Sequence, residues 1–325
     1  MKLQEIPIDT IENIKIGHAE DVEAGTGCTV LICEAGAPTG LDVRGGGPAS
    51  RESELLNPLA AAQAIHAVLL SGGSAFGLDA AGGVMDCLQK RDIGFDTGIV
   101  KVPLVCQSCI FDLGVGRSDV YPDRDMARRA CEEAFLGGSV REGNVGAGMG
   151  ATVGKYKDSS RMMKSGLGCY AVAVGELKVG AVVSVNALGD IFDIDTGRKL
   201  AGMLCEDGQS LDSTEAAFYA DTRRQENFFT GNTTIGAVIT NAAFTKSEMN
   251  KIAAMAQNGL ARAINPVHTT ADGDSVYAMS AGSVAADINV VGTLAARVLG
   301  RAVGRAVLKA QPAFGLKTAS MLLEK

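Results

Sequence analysis

The stretch GNTTIGAVITN, residues 231–241, decides how the fold is interpreted. A Gly-Asn pair typical of a turn leads into an apolar run, and two threonine hydroxyls stand at the entrance of that run. Thr245 and Glu248 then have the spacing of a helix capping box, and apolar residues recur after them at helical intervals. The segment SVYAMSAG, residues 275–282, follows an ADGD turn and is typical of a strand. The sequence therefore predicts a strand, a helix and a second strand in this region.

The rest of the chain has strands in adjacent runs, with helices before, between and after them. CTVLICEAG, residues 28–36, is typical of a strand, whereas residues 58–73 fit a helix or a strand equally well. We expect helices to begin at Ser74 and at Asp123, both as N-caps, with Gly137 ending the second helix. This arrangement favours sheets packed between helical layers, an α+β sandwich, over regular βαβ alternation.

The composition is that of a soluble globular protein, with 325 residues, 46% of them hydrophobic and 21% charged. The net charge of −7 argues against nucleic acid or an anionic membrane surface as a partner. We expect no signal peptide and no membrane span, because no apolar stretch approaches the roughly 20 residues that a span needs. The eight cysteines are expected to be reduced thiols of a cytoplasmic protein. No long linker or repeat occurs, so we predict one domain over residues 1–325.

Several short motifs that resemble functional sites lack the context they need. GAGMGA, residues 146–151, matches a dinucleotide fingerprint, but neither a preceding strand nor a following acid is present, and we expect a glycine-rich turn. Cys106 and Cys109 have no second ligand pair at zinc spacing, so we expect buried thiols. The three histidines are expected to be structural: His18, His66 and His268. We therefore expect no metal site and no organic cofactor.

One kind of hydrolytic active site needs none of these motifs. Its nucleophile is a threonine at an N-terminus that cleavage of the precursor creates. Such a residue supplies both the nucleophilic hydroxyl and a base, because its α-amine has a pKa of roughly 7.7–8. The precursor has to cut the bond before the threonine, and the hydroxyl can do this by attacking the preceding carbonyl. Gly231, next to Asn-Thr-Thr, would permit the tight backbone that this attack requires.

Blocks along most of the chain carry a family resemblance. Together with GNTTIGAVITN they are DVRGGGPASRESELLNP (42–58), SGGSAFGLDAAGGV (71–84), SDVYPDRD (118–125), GNVGAGMGATVGK (143–155), VVSVNALGD (182–190) and HTTADGDSVYAMS (268–280). In this order they resemble the P1 or S58 peptidase family. That family includes the L-aminopeptidase/D-amidase-esterase, the β-peptidyl aminopeptidases and the nylon-oligomer hydrolases.

The resemblance implies an αββα sandwich like that of N-terminal nucleophile hydrolases, with different strand connectivity. It also implies a self-processing precursor that is cut between Asn232 and Thr233. The products would be fragments 1–232 and 233–325, assembled as a homo-oligomer of paired fragments, with Thr233 as the nucleophile. Thr234 is the alternative nucleophile, but the family pattern puts the cut directly after the asparagine.

Further roles follow from the resemblance, position by position. Asn186 would donate its side-chain amide to the oxyanion. Asp272 and Asp274 would orient the nucleophile and its amine, and Lys155 would stand near the nucleophile as a cation. Tyr121 would line the cleft. These roles imply an amidohydrolase or aminopeptidase that acts on a small peptide or amide without a cofactor.

Other points rest on local pattern alone or stay open. Gly72, Gly73 and Ser74, at the start of a predicted helix, could offer N–H groups to a substrate. An acyltransferase of the ornithine-acetyltransferase type and an uncleaved ligand-binding protein are alternative functions. The sequence does not distinguish α-peptides, β-peptides, D-amides and nylon-like oligomers as substrates. The tail, residues 312–325, is either a docking segment or a loose end.

Overall fold

The computed structural model describes residues 3–222 and 231–323. Within these ranges two β-sheets face each other, and helices cover the outer face of each sheet. The strands of the two sheets are, in chain order, β1 (Gln4–Glu5), β2 (Lys15–Asp21), β3 (Thr26–Ala37), β4 (Thr39–Val43), β5 (Ala49–Arg51), β6 (Ile65–Ser71), β7 (Val105–Cys109), β8 (Leu167–Val174), β9 (Leu177–Asn186), β10 (Thr233–Ala242) and β11 (Ser275–Val284).

Helices and short strand pairs complete the described fold. The α-helices are α1 (Ala81–Gln89), α2 (Arg124–Leu136), α3 (Thr214–Ala220), α4 (Lys246–Ala263), α5 (Ile288–Lys309) and α6 (Ser320–Leu323). Single turns of 3₁₀-helix are Ile8–Thr10, Ser53–Leu56, Gly146–Gly148 and Ser159–Arg161, and a longer one is Ser74–Ala80. Small sheets pair Phe95–Asp96 with Lys101–Val102, Thr152–Val153 with Met163–Lys164, and Asp190–Phe192 with Lys199–Ala201 and Ile264–Asn265.

The strand order explains the layers. One sheet runs β1-β8-β9-β10-β11-β4, and the other runs β2-β3-β6-β7-β5. Each sheet contains one parallel pair joined through a helix, β10–α4–β11 in the first and β6–α1–β7 in the second. The other pairings are antiparallel, so this is not regular βαβ alternation. The predicted α+β sandwich of four layers is confirmed.

Three apolar clusters hold the layers together. Side chains of β3, β6, β8, β10 and β11 meet between the sheets, where Leu31, Val68 and Ile239 are fully buried. Helices α4 and α5 cover the other face of the six-stranded sheet, and α1 and α2 cover the five-stranded sheet. Central strands are therefore apolar on both faces, which is why residues 58–73 gave no alternation to identify β6.

Helix ends that depend on neighbouring residues follow the prediction. Asp123 accepts a hydrogen bond from the Met126 N–H at 2.8 Å, and Gly137 ends α2 with a φ of 73°. Thr245 and Glu248 form the predicted capping box of α4. The predicted Ser74 N-cap is wrong. Its φ is 52°, and its N–H donates to the Ile110 carbonyl, so the chain enters a 3₁₀ turn without a side-chain cap.

The tail is docked on the fold within the described residues. The Lys164 N–H donates to the Lys317 carbonyl at 2.8 Å, and Ala319 is fully buried in the cluster beneath α4 and α5. Residues 324 and 325 lie outside the described ranges. This corresponds to the docking alternative for residues 312–323.

Candidate active site

Three strand ends meet at one end of the six-stranded sheet. Antiparallel pairing of β9 with β10 places Asn186 directly opposite Thr233. Parallel pairing of β10 with β11 sets Ile235 beside Ser275, and an isolated bridge joins Asn232 to Asp272. The register therefore brings together residues that are far apart in sequence, with the bond before Thr233 at the centre.

The alternation along β10 distinguishes its two threonines. Thr233 has the same parity as Ile235 and Ile239, whose side chains lie between the sheets. Thr234 has the parity of Val238, which packs toward α4 and α5, and the Thr234 hydroxyl has no hydrogen-bond partner among the described residues. Only Thr233 therefore faces the space between the sheets, on the same side as Asn186.

The carbonyl of Asn232 lies against the candidate nucleophile. The Thr233 hydroxyl donates to this oxygen at 2.5 Å, and the Gly273 N–H donates to it at 2.9 Å. A Cβ at position 273 would lie only 2.9 Å from Thr233 Oγ1, so the site requires glycine there. Asn232 and Thr233 are both buried, which shields the bond between them from bulk water.

Asn186 and Lys155 contact the carbonyl of Gly231, one residue before the carbonyl of Asn232. The Asn186 side-chain N–H₂ donates to the carbonyls of Phe111 and Gly231, at 2.9 and 3.2 Å. Asn186 Oδ1 accepts from Lys155 Nζ at 2.7 Å and from the Thr152 N–H at 3.1 Å. Lys155 Nζ also donates to the Gly231 carbonyl at 3.1 Å. Both predicted site residues thus contact the chain just before the predicted cut.

The two aspartates hold the chain around Thr233 without touching its hydroxyl directly. Asp274 Oδ1 accepts from the Thr234 N–H at 2.7 Å, and its Oδ2 lies 2.9 Å from Nδ1 of His268. Asp272 Oδ2 accepts from the Thr269 N–H at 2.8 Å and from its hydroxyl at 2.6 Å. We expected His268 to be structural and did not predict its contact with Asp274. The segment HTTADGD, residues 268–274, contains His268, Thr269, Asp272 and Asp274.

The segment RGGG, residues 44–47, binds the loop that carries Asp272 and Asp274. The Arg44 N–H donates to the Asp274 carbonyl at 3.0 Å, and the Gly47 N–H donates to the Asp272 carbonyl at 2.9 Å. A Cβ at Gly45 would lie 2.3 Å from the Asp272 carbonyl oxygen. The sequence RGGG is therefore explained by close backbone approach to the acidic loop.

Burial shifts the pKa values of ionisable groups in the site. Enclosure lowers the pKa of Lys155 to about 7, although Asp272, Asp112 and Asp274 act in the opposite direction. Burial, reinforced by the neighbouring Asp274, raises the pKa of Asp272 to about 6. Ionisable groups whose pKa values lie near neutrality in one cleft are typical of a reactive site.

A cavity of about 240 Å³ opens beside Lys155 and Gly231. Its wall includes the apolar residues Phe111, Val115 and Met162, together with Asp112. Asp112 accepts from the Thr26 hydroxyl and the Gly73 N–H, and burial raises its pKa to about 6. Sequence reasoning missed Asp112, because its partners lie 39 and 86 positions away.

The remaining predicted residues, Tyr121 and Gly72 to Ser74, are not among those that line this cavity. Tyr121 stacks on the exposed Phe76, with ring centroids 5.1 Å apart. The N–H groups of Gly72, Gly73 and Ser74 donate to the Gly27 carbonyl, Asp112 and the Ile110 carbonyl. All three are used within the chain, and this argues against the prediction that they bind a substrate.

Other predictions concern metals, thiols and membranes. No group of three metal-ligating side chains occurs within residues 3–222 and 231–323. Cys106 and Cys109 are buried, and burial raises the pKa of each thiol to about 12, as expected for core thiols. In the described part of the chain, none of the helices is long and apolar enough to cross a bilayer.

The chain is similar to known proteins along nearly its whole length. The sequence profile of Peptidase family S58 matches residues 8–321. An uncharacterized aminopeptidase of Mycobacterium leprae is 35% identical over 341 positions, covering 96% of this chain and 92% of the relative. A 6-aminohexanoate-oligomer endohydrolase of Paenarthrobacter ureafaciens is 34% identical over 271 positions, covering 82% of this chain and 72% of the relative.

Solved structures show the same fold at lower sequence identity. A Burkholderia sp. β-aminopeptidase superposes with a TM-score of 0.65 at 18% identity, covering 98% of this chain and 92% of that one. The L-aminopeptidase D-Ala-esterase/amidase of Ochrobactrum anthropi, described as a variant of the Ntn hydrolase fold, gives a TM-score of 0.68 at 15% identity, with coverages of 96% and 90%. The chain therefore belongs to peptidase family S58, and it is a hydrolase of peptide or amide bonds.

Proposed function

We propose that this hydrolase is a self-cleaving N-terminal-threonine aminopeptidase or amidase. The observation that carries the proposal is the contact between the Thr233 hydroxyl and the carbonyl of Asn232, at 2.5 Å, inside a buried cluster of ionisable groups. Cutting at this bond would give fragments 1–232 and 233–325 and would expose the α-amine of Thr233.

In the processed enzyme, the Thr233 hydroxyl attacks the substrate carbonyl while its own α-amine accepts the hydroxyl proton. Asn186 stabilises the oxyanion through its side-chain N–H₂, and Lys155 adds positive charge beside it. The amine product leaves, an ester forms on Thr233, and water releases the acyl group. Asp274 and Asp272 fix the backbone on either side of the nucleophile.

The cavity beside Lys155 supports a short acyl group as the bound part of the substrate. Its volume of about 240 Å³ and its apolar wall of Phe111, Val115 and Met162 suit a small side chain. The aminopeptidase named among the relatives supports substrates with a free amine, and the oligomer endohydrolase supports longer amide chains. We infer a small peptide or amide, with aminopeptidase activity as the main activity.

A panel of amides tests this function. The purified protein should release the amine product from short aminoacyl amides, faster than from the same amides with an acetylated amine. Thr233→Ala should release none above background, whereas Thr234→Ala should keep activity. Equal activity of the wild type and Thr233→Ala would contradict the role of Thr233.

The proposal extends to the assembly and its location. We infer a cytoplasmic homo-oligomer of paired fragments, supported by buried free cysteines and by the family resemblance. Light scattering of the processed protein measures the subunit number, and a mass equal to a single pair of fragments would contradict the oligomer.

A further inference from the structure

The carbonyl that self-cleavage would attack has its own pair of donors. Asn232 O accepts from the Gly273 N–H at 2.9 Å and from the Thr233 hydroxyl at 2.5 Å. The donors expected to stabilise an oxyanion during substrate hydrolysis, on Asn186 and Lys155, point instead at the carbonyl of Gly231. In the uncut chain these two side chains are thus engaged one residue away from the bond to be broken.

We propose that self-cleavage and substrate hydrolysis use different oxyanion donors. The backbone N–H of Gly273 stabilises the oxyanion that forms on Asn232 during self-cleavage. The side chains of Asn186 and Lys155 serve substrate hydrolysis, once the cut has allowed Gly231 to leave them. This inference rests on the proposed function, in which Thr233 is the site of self-cleavage.

The chemical step is an N-to-O acyl shift followed by hydrolysis. The Thr233 hydroxyl oxygen forms a bond to the Asn232 carbonyl carbon, and negative charge develops on the Asn232 oxygen. The carbon–nitrogen bond then breaks, and the hydroxyl proton ends on the nitrogen of Thr233, which becomes a free amine. One water molecule hydrolyses the resulting ester, giving the carboxylate of Asn232 and restoring the Thr233 hydroxyl.

The N–H of Gly273 is fixed before the reaction. The loop that carries it is held by the Gly47 N–H on the Asp272 carbonyl, at 2.9 Å, and by the bridge between Asp272 and Asn232. Asp272 and Asn232 are both buried, so little water competes for the developing charge. Donors that are already oriented in a water-poor site give the largest stabilisation of an oxyanion.

Glycine at 273 fits this role for a steric reason. Its Cβ position lies 2.9 Å from Thr233 Oγ1 and 2.8 Å from the Gly47 carbonyl oxygen. Any larger residue would displace either the nucleophile or the loop. The backbone N–H can therefore approach the reacting carbonyl as closely as it does only without a side chain.

Replacement of one amide by an ester tests the proposal. The full chain is made by cell-free translation with glycolic acid in place of Gly273, which removes only the N–H. The control carries glycolic acid in place of Gly47, whose N–H makes a 2.9 Å bond to the Asp272 carbonyl of the same loop. Intact mass under denaturing conditions measures the rate of cutting, and turnover is then normalised to the cut fraction.

We expect the ester at 273 to slow cutting by about 10²–10³-fold, the usual effect of losing one oxyanion donor. The ester at 47 should slow it only a few-fold, and the processed form of each should turn over substrate within a few-fold of wild type. Equal cutting rates for the two esters would overturn the role of Gly273. An equal fall of cutting and turnover at 273 would overturn the separation of donors.

A second variant tests the other half of the inference even if the ester at 273 does not fold. Asn186→Asp keeps the oxygen that accepts from Lys155 and Thr152, but it loses the N–H₂. It should reduce turnover at least about 30-fold more than it reduces cutting. Equal reductions would overturn the proposal. Failure of the wild-type chain to cut would instead remove the proposed function itself.

Discussion

Two strand–helix–strand units, one in each sheet, have the same local topology and different polar contents. In β6–α1–β7 the polar side chains gather near the carboxyl ends of the strands. Gln107 Nε2 donates to the Ser71 hydroxyl at 2.8 Å and to the Gly77 carbonyl at 2.7 Å, and the Ser71 hydroxyl lies 3.1 Å from Cys109 Sγ. These groups are neutral, buried and bonded to one another.

In β10–α4–β11 the polar groups gather at the amino ends of the strands, and they include charges. Lys155 has its pKa lowered to about 7 and Asp272 has its pKa raised to about 6, both through burial. The threonine hydroxyl among them lies against a peptide carbonyl. The comparison teaches that topology brings polar groups together in both units, whereas a threonine hydroxyl held against a peptide carbonyl distinguishes the candidate site.

The largest expected effect comes from the nucleophile. Thr233→Ala removes the only hydroxyl at the Asn232 carbonyl within the described contacts, so cutting and turnover should both fall by at least about 10⁴-fold. The measurement is intact mass over several days, combined with an amide assay. Thr234→Ala is the matched control, because the Thr234 hydroxyl faces the helices. Loss of cutting in the control alone would reverse the assignment.

The next effect concerns the side-chain amide opposite the nucleophile. Asn186→Asp removes the N–H₂ donor, and turnover by the processed enzyme should fall about 10²–10³-fold. The fall should appear in kcat with little change in KM, because the interaction strengthens as the oxyanion forms. A variant with normal kcat would show that another group holds the oxyanion.

The rate of cutting should depend on pH through Asp272, which lies on the loop that carries the Gly273 N–H. Burial raises the pKa of Asp272 to about 6, and its carboxylate accepts from the Thr269 N–H and hydroxyl. The rate should therefore be level above pH 7 and fall about tenfold at pH 5. Intact mass after timed incubation at each pH measures the profile, and a fall above pH 7 would mean that the charge of Lys155 contributes to cutting, against the separation of donors.

Two buried lysines test whether a lysine charge contributes to cutting. Burial lowers the pKa of both Lys155 and Lys164 to about 7. Lys164 Nζ donates only to backbone carbonyls in the described structure, those of Gly148, Ala151 and Ser165. Lys155→Met and Lys164→Met should both keep a level cutting rate above pH 7, whereas Lys155→Met alone should lower turnover by the processed enzyme.

A smaller effect is expected at His268. Its ring lies 2.9 Å from Asp274 Oδ2, while Asp274 Oδ1 holds the Thr234 N–H. Loss of the ring in His268→Ala should allow the carboxylate to move and should lower turnover about three- to tenfold. A steady-state assay of the processed variant measures this, and a loss as large as that of Asn186→Asp would make His268 part of the chemistry.

A substitution among the neutral polar groups of β6–α1–β7 should affect the stability of the fold and not the rate of cutting. Gln107→Met keeps the volume but leaves the Gly77 carbonyl without its side-chain donor, at a cost of about 1–3 kcal/mol. Thermal unfolding should shift down by several degrees, while cutting at 25 °C stays near the wild-type rate. Slower cutting in the folded variant would contradict the division between the two units.

Local rules predicted those parts of the fold whose cause lies within a few residues. The capping box at Thr245 and the cap at Asp123 depend on hydrogen bonds three positions away, and both are confirmed. Ser74 shows the limit of such rules, because its backbone is set by the distant Ile110 carbonyl. Local rules also could not predict the ion pairs of Arg305 in α5, because its partners Glu142 and Glu5 lie 163 and 300 positions away.

The sequence predicted several residues of the site, but it did not predict all of the hydrogen bonds between them. The family motifs named Thr233 and Asn186, and the strand register brings them opposite each other. The Asp112 network could not be found from spacing, because it joins the start of β3 to the segments that follow β6 and β7. The bond from His268 to Asp274 spans six positions, and the HTTADGD segment itself was its only signal.

The most direct test of the role of Thr233 is intact-mass spectrometry of the purified full-length chain under denaturing conditions, beside Thr233→Ala. Two species are predicted for the wild type, one ending at Asn232 and one beginning at Thr233, with the variant remaining a single chain. A wild-type chain that stays intact over days at pH 6–7 would contradict self-cleavage. It would also remove the free α-amine on which the proposed hydrolysis depends.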